Sequence, residues 1–173
     1  MDAPRIETER LVLRAHGTAD YASCLALWGN PIVTRHIGNR THAPQEVWAR
    51  VLRYIGHWHA LDFGCWVVEE RDTGRFAGEV GFAIHKRAIE PPFGDAWEIG
   101  WVLAPWCHGR GYATEAALAS LAWASQRAPG HRSVCLIDAD NAPSIRVAAR
   151  CGYRELARTT YDGAAAIVYD RAL

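Results

Sequence analysis

One mixed α/β sheet of about seven strands, flanked by about four helices, is the fold the sequence predicts. Three observations carry that expectation. Short apolar or alternating runs recur between helical patterns in the order β-α-α-β-β-β-α-β-α-β-β. Two pairs of strands are joined by short turns containing Asp72-Thr73-Gly74 and Asp162-Gly163, which is how hairpins close. The 173 residues contain no repeat, linker or low-complexity segment, so one domain burying about 70% of its unfolded surface accounts for them.

In chain order, residues 10–14 set Leu11, Val12 and Leu13 between two arginines and read as the first strand. Gly17-Thr18 offers a cap for a helix in which Tyr21, Leu25 and Trp28 recur at helical spacing until Gly29-Asn30-Pro31 stops it. A loop over residues 31–43 leads to a second helix, with Pro44 in its first turn and Val47, Val51, Ile55 and Trp58 along one face. Residues 65–69 and 76–84 make the first hairpin. Residues 85–95, with Pro91-Pro92 and Gly94, are a long surface segment suited to binding or to plain connection. Trp97–Leu103 is a strand with Trp97, Ile99, Trp101 and Leu103 on one face and Glu98, Gly100 and Val102 on the other. A glycine turn joins it to an alanine-rich helix that ends at Pro129-Gly130. Residues 134–137 form a short buried strand; Asn141 caps a helix from Ala142 to about Arg150, which Cys151-Gly152 closes. Residues 153–160 and 165–169 make the terminal hairpin.

Composition narrows the function. Lysine plus arginine and aspartate plus glutamate each number 19, so no net field draws the chain to nucleic acid or to an acidic membrane surface. The five cysteines form no CxxC pair and leave an odd one over, which argues against a disulfide framework and a zinc knot and for a reducing compartment. The segment MDAPRIETER lacks the apolar stretch of a signal peptide, and the longest apolar run, within residues 116–124, falls short of the ~20 residues a membrane span requires. A cytoplasmic protein with no metal, nucleic-acid or membrane partner is the expectation. Eight tryptophans and eight histidines in so short a chain point to an aromatic cavity or to a core filled by large rings.

The stretch with the most chemistry is His108-Gly109-Arg110-Gly111-Tyr112-Ala113, between a strand and a helix. Backbone N–H groups exposed by such a turn, aided by the helix dipole, can hold a pyrophosphate without a metal. Two other phosphate turns fit poorly. The nucleotide P-loop needs GKS or GKT, which is absent. A dinucleotide fingerprint needs a third small residue three after the second glycine and an acid some twenty residues on, where this chain has Thr114 and His131-Arg132. A tight strand-to-helix turn with no ligand is the plain alternative.

Further motifs in a fixed order make the turn more specific. The turn with Thr114-Glu115-Ala116, then Asn141-Ala142-Pro143-Ser144-Ile145-Arg146-Val147 and Cys151-Gly152-Tyr153, resembles the GNAT acetyltransferases. Glu7-Thr8-Glu9-Arg10-Leu11-Val12-Leu13-Arg14 and the hairpin with Gly78 and Gly81 resemble the branch that acetylates the N-termini of ribosomal proteins, so the likeness covers nearly the whole chain. It implies a mostly antiparallel, splayed sheet that binds acetyl-CoA as cosubstrate. The pyrophosphate would lie on His108, Gly109, Arg110, Gly111, Tyr112 and Ala113, and a main-chain N–H among Trp101, Val102 and Leu103 would polarise the thioester carbonyl. Asn141 and Ser144 would contact CoA. The chain departs from the family pattern at His108, where glutamine or arginine is usual; backbone donors do not depend on that side chain. Arg110 offers a charged partner for phosphate or is simply solvated.

Acetyl transfer needs a neutral amine, oxyanion donors and a proton for the departing thiolate. Many family members supply that proton from a tyrosine four residues before the glycine of a GF or GY motif, and here that position is Ala148. The resemblance to the ribosomal-protein branch points instead to Ser144, although Asn141 and Ser144 also make an ordinary helix start. Glu98, sharing a face with the side-chain-free Gly100, is the candidate base; a salt-bridged strand glutamate is the plain alternative. His36, His57, His59 and His85 are further candidates. The implied activity is direct transfer of acetyl, in a ternary complex, to a primary amine, either a peptide N-terminus or a small molecule. The acceptor would lie among the first two helices, their loop and the terminal hairpin near Tyr161-Asp162. A non-catalytic acyl-CoA-binding module is the rival of a different class, a nucleotide-dependent transferase is disfavoured by the missing P-loop lysine, and a homodimer stays open.

Overall fold

The computed structural model of the chain describes residues 3–173. Eight strands, β1 (Ile6–Glu7), β2 (Leu11–Arg14), β3 (Cys65–Glu70), β4 (Phe76–Ala83), β5 (Trp97–Leu103), β6 (Arg132–Asp138), β7 (Arg154–Tyr161) and β8 (Ala164–Ala172), join in one sheet in the order β1-β2-β3-β4-β5-β6-β8-β7. All neighbours run antiparallel except β5 and β6. The helices are α1 (Tyr21–Trp28), α2 (Pro31–Thr34), α3 (Pro44–Leu61), α4 (Tyr112–Arg127) and α5 (Ala142–Arg150). Among the described residues no helix is long and apolar enough to cross a membrane.

Two elements differ from expectation. The additional strand is β1, in which Ile6 and Glu7 pair with Leu13 and Val12; two residues are too few for an alternation to register in sequence. Within the segment expected to be a loop, Pro31 starts the single turn of α2, because Asn30 Oδ1 accepts from the Ile32 N–H and proline suits a first helical position. The other elements lie where periodicity placed them, with ends moved by a few residues. In the terminal hairpin, Asp162 and Gly163 both have positive φ, 48° and 79°, as a two-residue turn of type I′ requires.

The sheet separates two apolar layers. On one face, Leu11, Leu13, Val68, Val80 and Ile99 meet Ala116, Ala117, Leu121 and Ala124 of α4, all buried. The alanines let the helix axis approach the sheet closely, and burying each of the larger side chains stabilises the fold by about 1.5–3 kcal/mol. Trp58, Trp66, Trp97 and Trp123 interlock there, with ring centroids 4.7 Å apart for Trp58 and Trp66 and 5.2 Å for Trp66 and Trp123. Those tryptophans therefore belong to the core. On the other face, Cys24, Leu27 and Trp28 of α1 pack with Val47 and Val51 of α3 against Val102.

The feature that makes a site is a split in the sheet. β5 and β6 pair only through Trp97 with Ser133 and Glu98 with Val134, reinforced by a hydrogen bond from Ser133 Oγ to the Trp97 carbonyl at 3.0 Å. Beyond that, β5 stays paired with β4 as far as Leu103, while β6 stays paired with β8 as far as Asp138. Each half keeps the twist of its own antiparallel partner, so the two strands diverge.

Candidate active site

After β5, a single 3-10 turn, Pro105–Cys107, leads into the glycine turn and α4. Gly109 and Gly111 adopt φ of 75° and 80°, a left-handed conformation that glycine takes without strain. In this geometry the first helical bond is Glu115 N–H to the Gly111 carbonyl. The N–H groups of Gly109, Gly111, Tyr112 and Ala113 have no acceptor among the described residues. A Cβ on Gly109 would meet nothing within 4 Å, so the surface above the turn is open. These donors stand at the positive end of a 16-residue helix, the geometry that suits an anion.

The turn is held from the far end of the chain. Glu115 accepts from Thr8 Oγ1 at 2.6 Å, from the Arg10 N–H at 2.9 Å and from Arg10 Nε at 2.7 Å, while Arg10 Nη1 donates to the Arg110 carbonyl at 2.8 Å. Burial works against ionisation of Glu115, but these donors keep its carboxyl below the ordinary value. His108 Nε2 donates to the Leu103 carbonyl at 2.8 Å, tying the turn to the end of β5. Arg110 is engaged by Glu70, 3.2 Å away, and lies over the rings of Tyr112 and Trp106.

The split opens into a cleft of about 660 Å³ whose lining reaches Val102 on β5 and includes none of the turn residues His108, Gly109, Arg110, Gly111, Tyr112 and Ala113. The Ala104 N–H reaches the Ala77 carbonyl on β4, so by strand alternation the N–H groups of Trp101 and Leu103 face the unpaired edge of β5. Trp101, Val102, Asn141 and Ser144 line the cleft together with Glu98 and Gly100. Asn141 Oδ1 caps α5 by accepting from the Ser144 N–H at 3.2 Å. Trp101 Nε1 donates to Ser144 Oγ at 3.3 Å, which leaves the serine hydroxyl proton to be directed elsewhere. A Cβ on Gly100 would likewise meet nothing within 4 Å, so the space beside Glu98 is real. Glu98 itself is nearly buried and is clasped by Arg87, Nε to Oε2 at 2.8 Å and Nη2 to Oε1 at 2.9 Å; Arg87 Nη1 also donates to Tyr161 Oη at 2.8 Å. The segment between β4 and β5 thus fastens the candidate base to the terminal hairpin.

Of the histidines weighed as bases, His57 is engaged on both nitrogens, with the Phe63 carbonyl and the Ile84 N–H, and His36 lies 3.5 Å from Asp138. His36 and His85 line the cleft.

Sequence reasoning missed Glu79, Arg50 and Arg87. Glu79 is 1% exposed and accepts from Trp28 Nε1 and Tyr54 Oη, both at 3.0 Å, with His16 Nε2 at 3.5 Å from its other oxygen. Burial would push this carboxyl up; His16 and Arg50 outweigh it and hold the carboxyl below its ordinary value. A lone charge inside the apolar run FAGEVGFA was the signal available for it. The register sets Glu79 opposite Val102 and Gly81 opposite Gly100, so Glu79 shares the face of Glu98.

Known proteins share this fold. Residues 10–154 match the family model described as the acetyltransferase (GNAT) domain. A Bordetella pertussis structure ascribed to the GnaT-family acetyltransferases is 31% identical, with a TM-score of 0.87 over 98% of this chain and 100% of that one. YnaD of Bacillus subtilis strain 168, an uncharacterized N-acetyltransferase, is 29% identical over 150 residues, 86% of this chain and 82% of that protein. RimL, a ribosomal L7/L12 alpha-N-protein acetyltransferase solved with coenzyme A, shares the fold at 21% identity and a TM-score of 0.78, with 98% of each chain covered. With residues 10–154 matched by that model and β5 and β6 parted as described, the chain belongs to the GNAT acetyltransferase family.

Proposed function

We propose that the protein transfers the acetyl group of acetyl-CoA to a primary amine by direct attack in a ternary complex. The observation that carries this reading is the set of unpaired N–H groups of Gly109, Gly111, Tyr112 and Ala113 at the head of α4, in the turn that follows the end of β5, the strand that parts from β6. They would hold the pyrophosphate. The N–H groups on the open edge of β5, at Trp101 and Leu103, would receive the negative charge that develops on the thioester oxygen. Coenzyme A in the RimL complex supports the choice of donor.

The amine nitrogen forms its bond to the acetyl carbon as the carbon–sulfur bond breaks. Glu98 draws the proton lost by the amine, through a water in the space beside Gly100. Ser144 Oγ, oriented by Trp101, gives a hydrogen bond and then a proton to the departing sulfur, and takes a proton back from solvent so that its hydroxyl is restored. An α-amine, with a pKa of about 7.7–8.0, is appreciably neutral near pH 7, whereas a lysine at ~10.4 is not. A base fully engaged by Arg87 therefore suits an α-amine.

Thiol release from acetyl-CoA, followed across peptides and free amines with mass detection of product, tests the reading. One acetylated amine per thiol is expected; CoA binding with no release on any amine would favour a non-catalytic CoA-binding module instead. Ser144→Ala is expected to lower kcat about tenfold with less than a twofold change in the KM for acetyl-CoA. Unaltered kcat would remove Ser144 from the proton path.

A further inference from the structure

The wall of the cleft facing the split is built by α1, α3 and the segment after α2, and its charges are unevenly partnered. Arg40 is matched by Glu46, at 2.6 Å, and Arg87 by Glu98. Arg35, Arg50 and Arg53 also line the cleft, yet among the described residues none has a carboxylate within 4.0 Å. The cleft sets Arg35, Arg40, Arg50, Arg53 and Arg87 against Glu79, Glu98, Asp138 and Asp162, a small excess of positive charge, with Arg50 balanced in part by the field of the buried Glu79 carboxylate.

Arg50 is the most constrained of them. Its guanidinium carbon lies 3.7 Å from the centre of the Trp28 ring, and Nη1 reaches Tyr54 Oη at 3.4 Å. Trp28 and Tyr54 are themselves fixed, since both donate to the buried Glu79 carboxylate. Arg50 Nε is buried and has no hydrogen-bond partner. A guanidinium held over an indole, with its Nη2 given no protein acceptor among the described residues, can pair with a planar anion. Arg53 stands one turn further along α3, 5.8 Å from the Tyr54 ring centre, and adds its charge to the same side. The field is felt by both neighbouring histidines. Desolvation and then the arginines, Arg50 and Arg40 at His42, Arg87 and Arg53 at His85, hold each imidazole below its ordinary value.

We propose that the acceptor carries a carboxylate close to its amine, and that Arg50, assisted by Arg53, binds it while the amine points toward the split. This rests on the acetyl-transfer reading above. A free amino acid and a peptide beginning with an acidic residue share that chemistry.

The test is a set of matched acceptors assayed by thiol release: amino acids against their carboxamides, and Asp-first against Asn-first peptides. The acid of a pair is expected to exceed its amide at least tenfold in kcat/KM, and the arm with the larger ratio identifies the source. Arg50→Gln is expected to collapse that ratio toward one through KM, with Arg50→Lys keeping part of it. Equal rates for acid and amide in the wild-type protein, or a preference for polycationic amines, would overturn this proposal while leaving acetyl transfer standing. Absence of thiol release with every amine would overturn acetyl transfer and this proposal with it.

Discussion

Replacing Gly111 with glutamate is expected to abolish measurable acetyl-CoA binding, a loss of at least 100-fold, or about 2.7 kcal/mol. Three effects act together. Gly111 sits at φ 80°, where a side chain strains the backbone and turns its own N–H and that of Tyr112 away from the pyrophosphate. A Cβ there would lie 3.4 Å from Arg10 Nη2, so the new carboxylate competes with Glu115 for the arginine that fastens the turn. A negative charge at the head of α4 repels a pyrophosphate where the four N–H groups should attract it. Isothermal calorimetry with acetyl-CoA measures the loss, and circular dichroism establishes that the variant is folded. Wild-type affinity in a folded Gly111→Glu protein would remove the turn from cosubstrate binding.

The largest stability effect is expected at Gly78. Its φ is 147°, and an added Cβ would fall 2.1 Å from the Val102 carbonyl oxygen and 2.8 Å from the Leu103 Cα. Both are backbone atoms in the centre of the sheet, so no side-chain rotation relieves the clash. Alanine must drive β4 and β5 apart, at a cost of roughly 3–5 kcal/mol from combined strain and overpacking. For a chain of this size that lowers Tm by about 6–20 °C. The same displacement moves the edge of β5 at Trp101–Leu103, so activity should fall even below the melting transition. Gly100→Ala is the informative contrast. Nothing lies within 4 Å of the added methyl, so stability should change by less than about 1 kcal/mol. Turnover should drop nonetheless, because the methyl intrudes on the space beside Glu98. A Gly78→Ala protein that melts with the wild type would contradict the close approach of the two strands.

These predictions divide along the line between local and long-range information. Much of the framework could be read directly from the chain. Asn141 capping α5, Asp162-Gly163 closing the terminal hairpin and the glycine turn before α4 are set by neighbours within four residues, where caps and positive-φ turns leave a signature. The tryptophans could be assigned only by type, since a ring in the core and a ring in a cleft look alike in sequence. Trp58, Trp66 and Trp123 went to the core, while Trp28 and Trp101 came to line the cleft.

Partnership was decided by the fold. Arg10 and Glu115 stand 105 positions apart, and no periodicity links them until β2 and α4 meet. Glu98 and Gly100 could be placed on one strand face from alternation alone, but the clasp on Glu98 comes from Arg87, in a segment with no regular pattern. His108 illustrates both halves: its position beside the turn was legible, whereas its bond to the Leu103 carbonyl depends on how the strand end bends back over it. By itself the sequence determined the order of elements, the helix caps and the glycine turn before α4, because backbone hydrogen bonding is satisfied locally. Only the tertiary structure decided which charges are spent on one another and which, like Arg50 over Trp28, have no carboxylate within ion-pair distance among the described residues, because that balance is struck between side chains the chain brings together from afar.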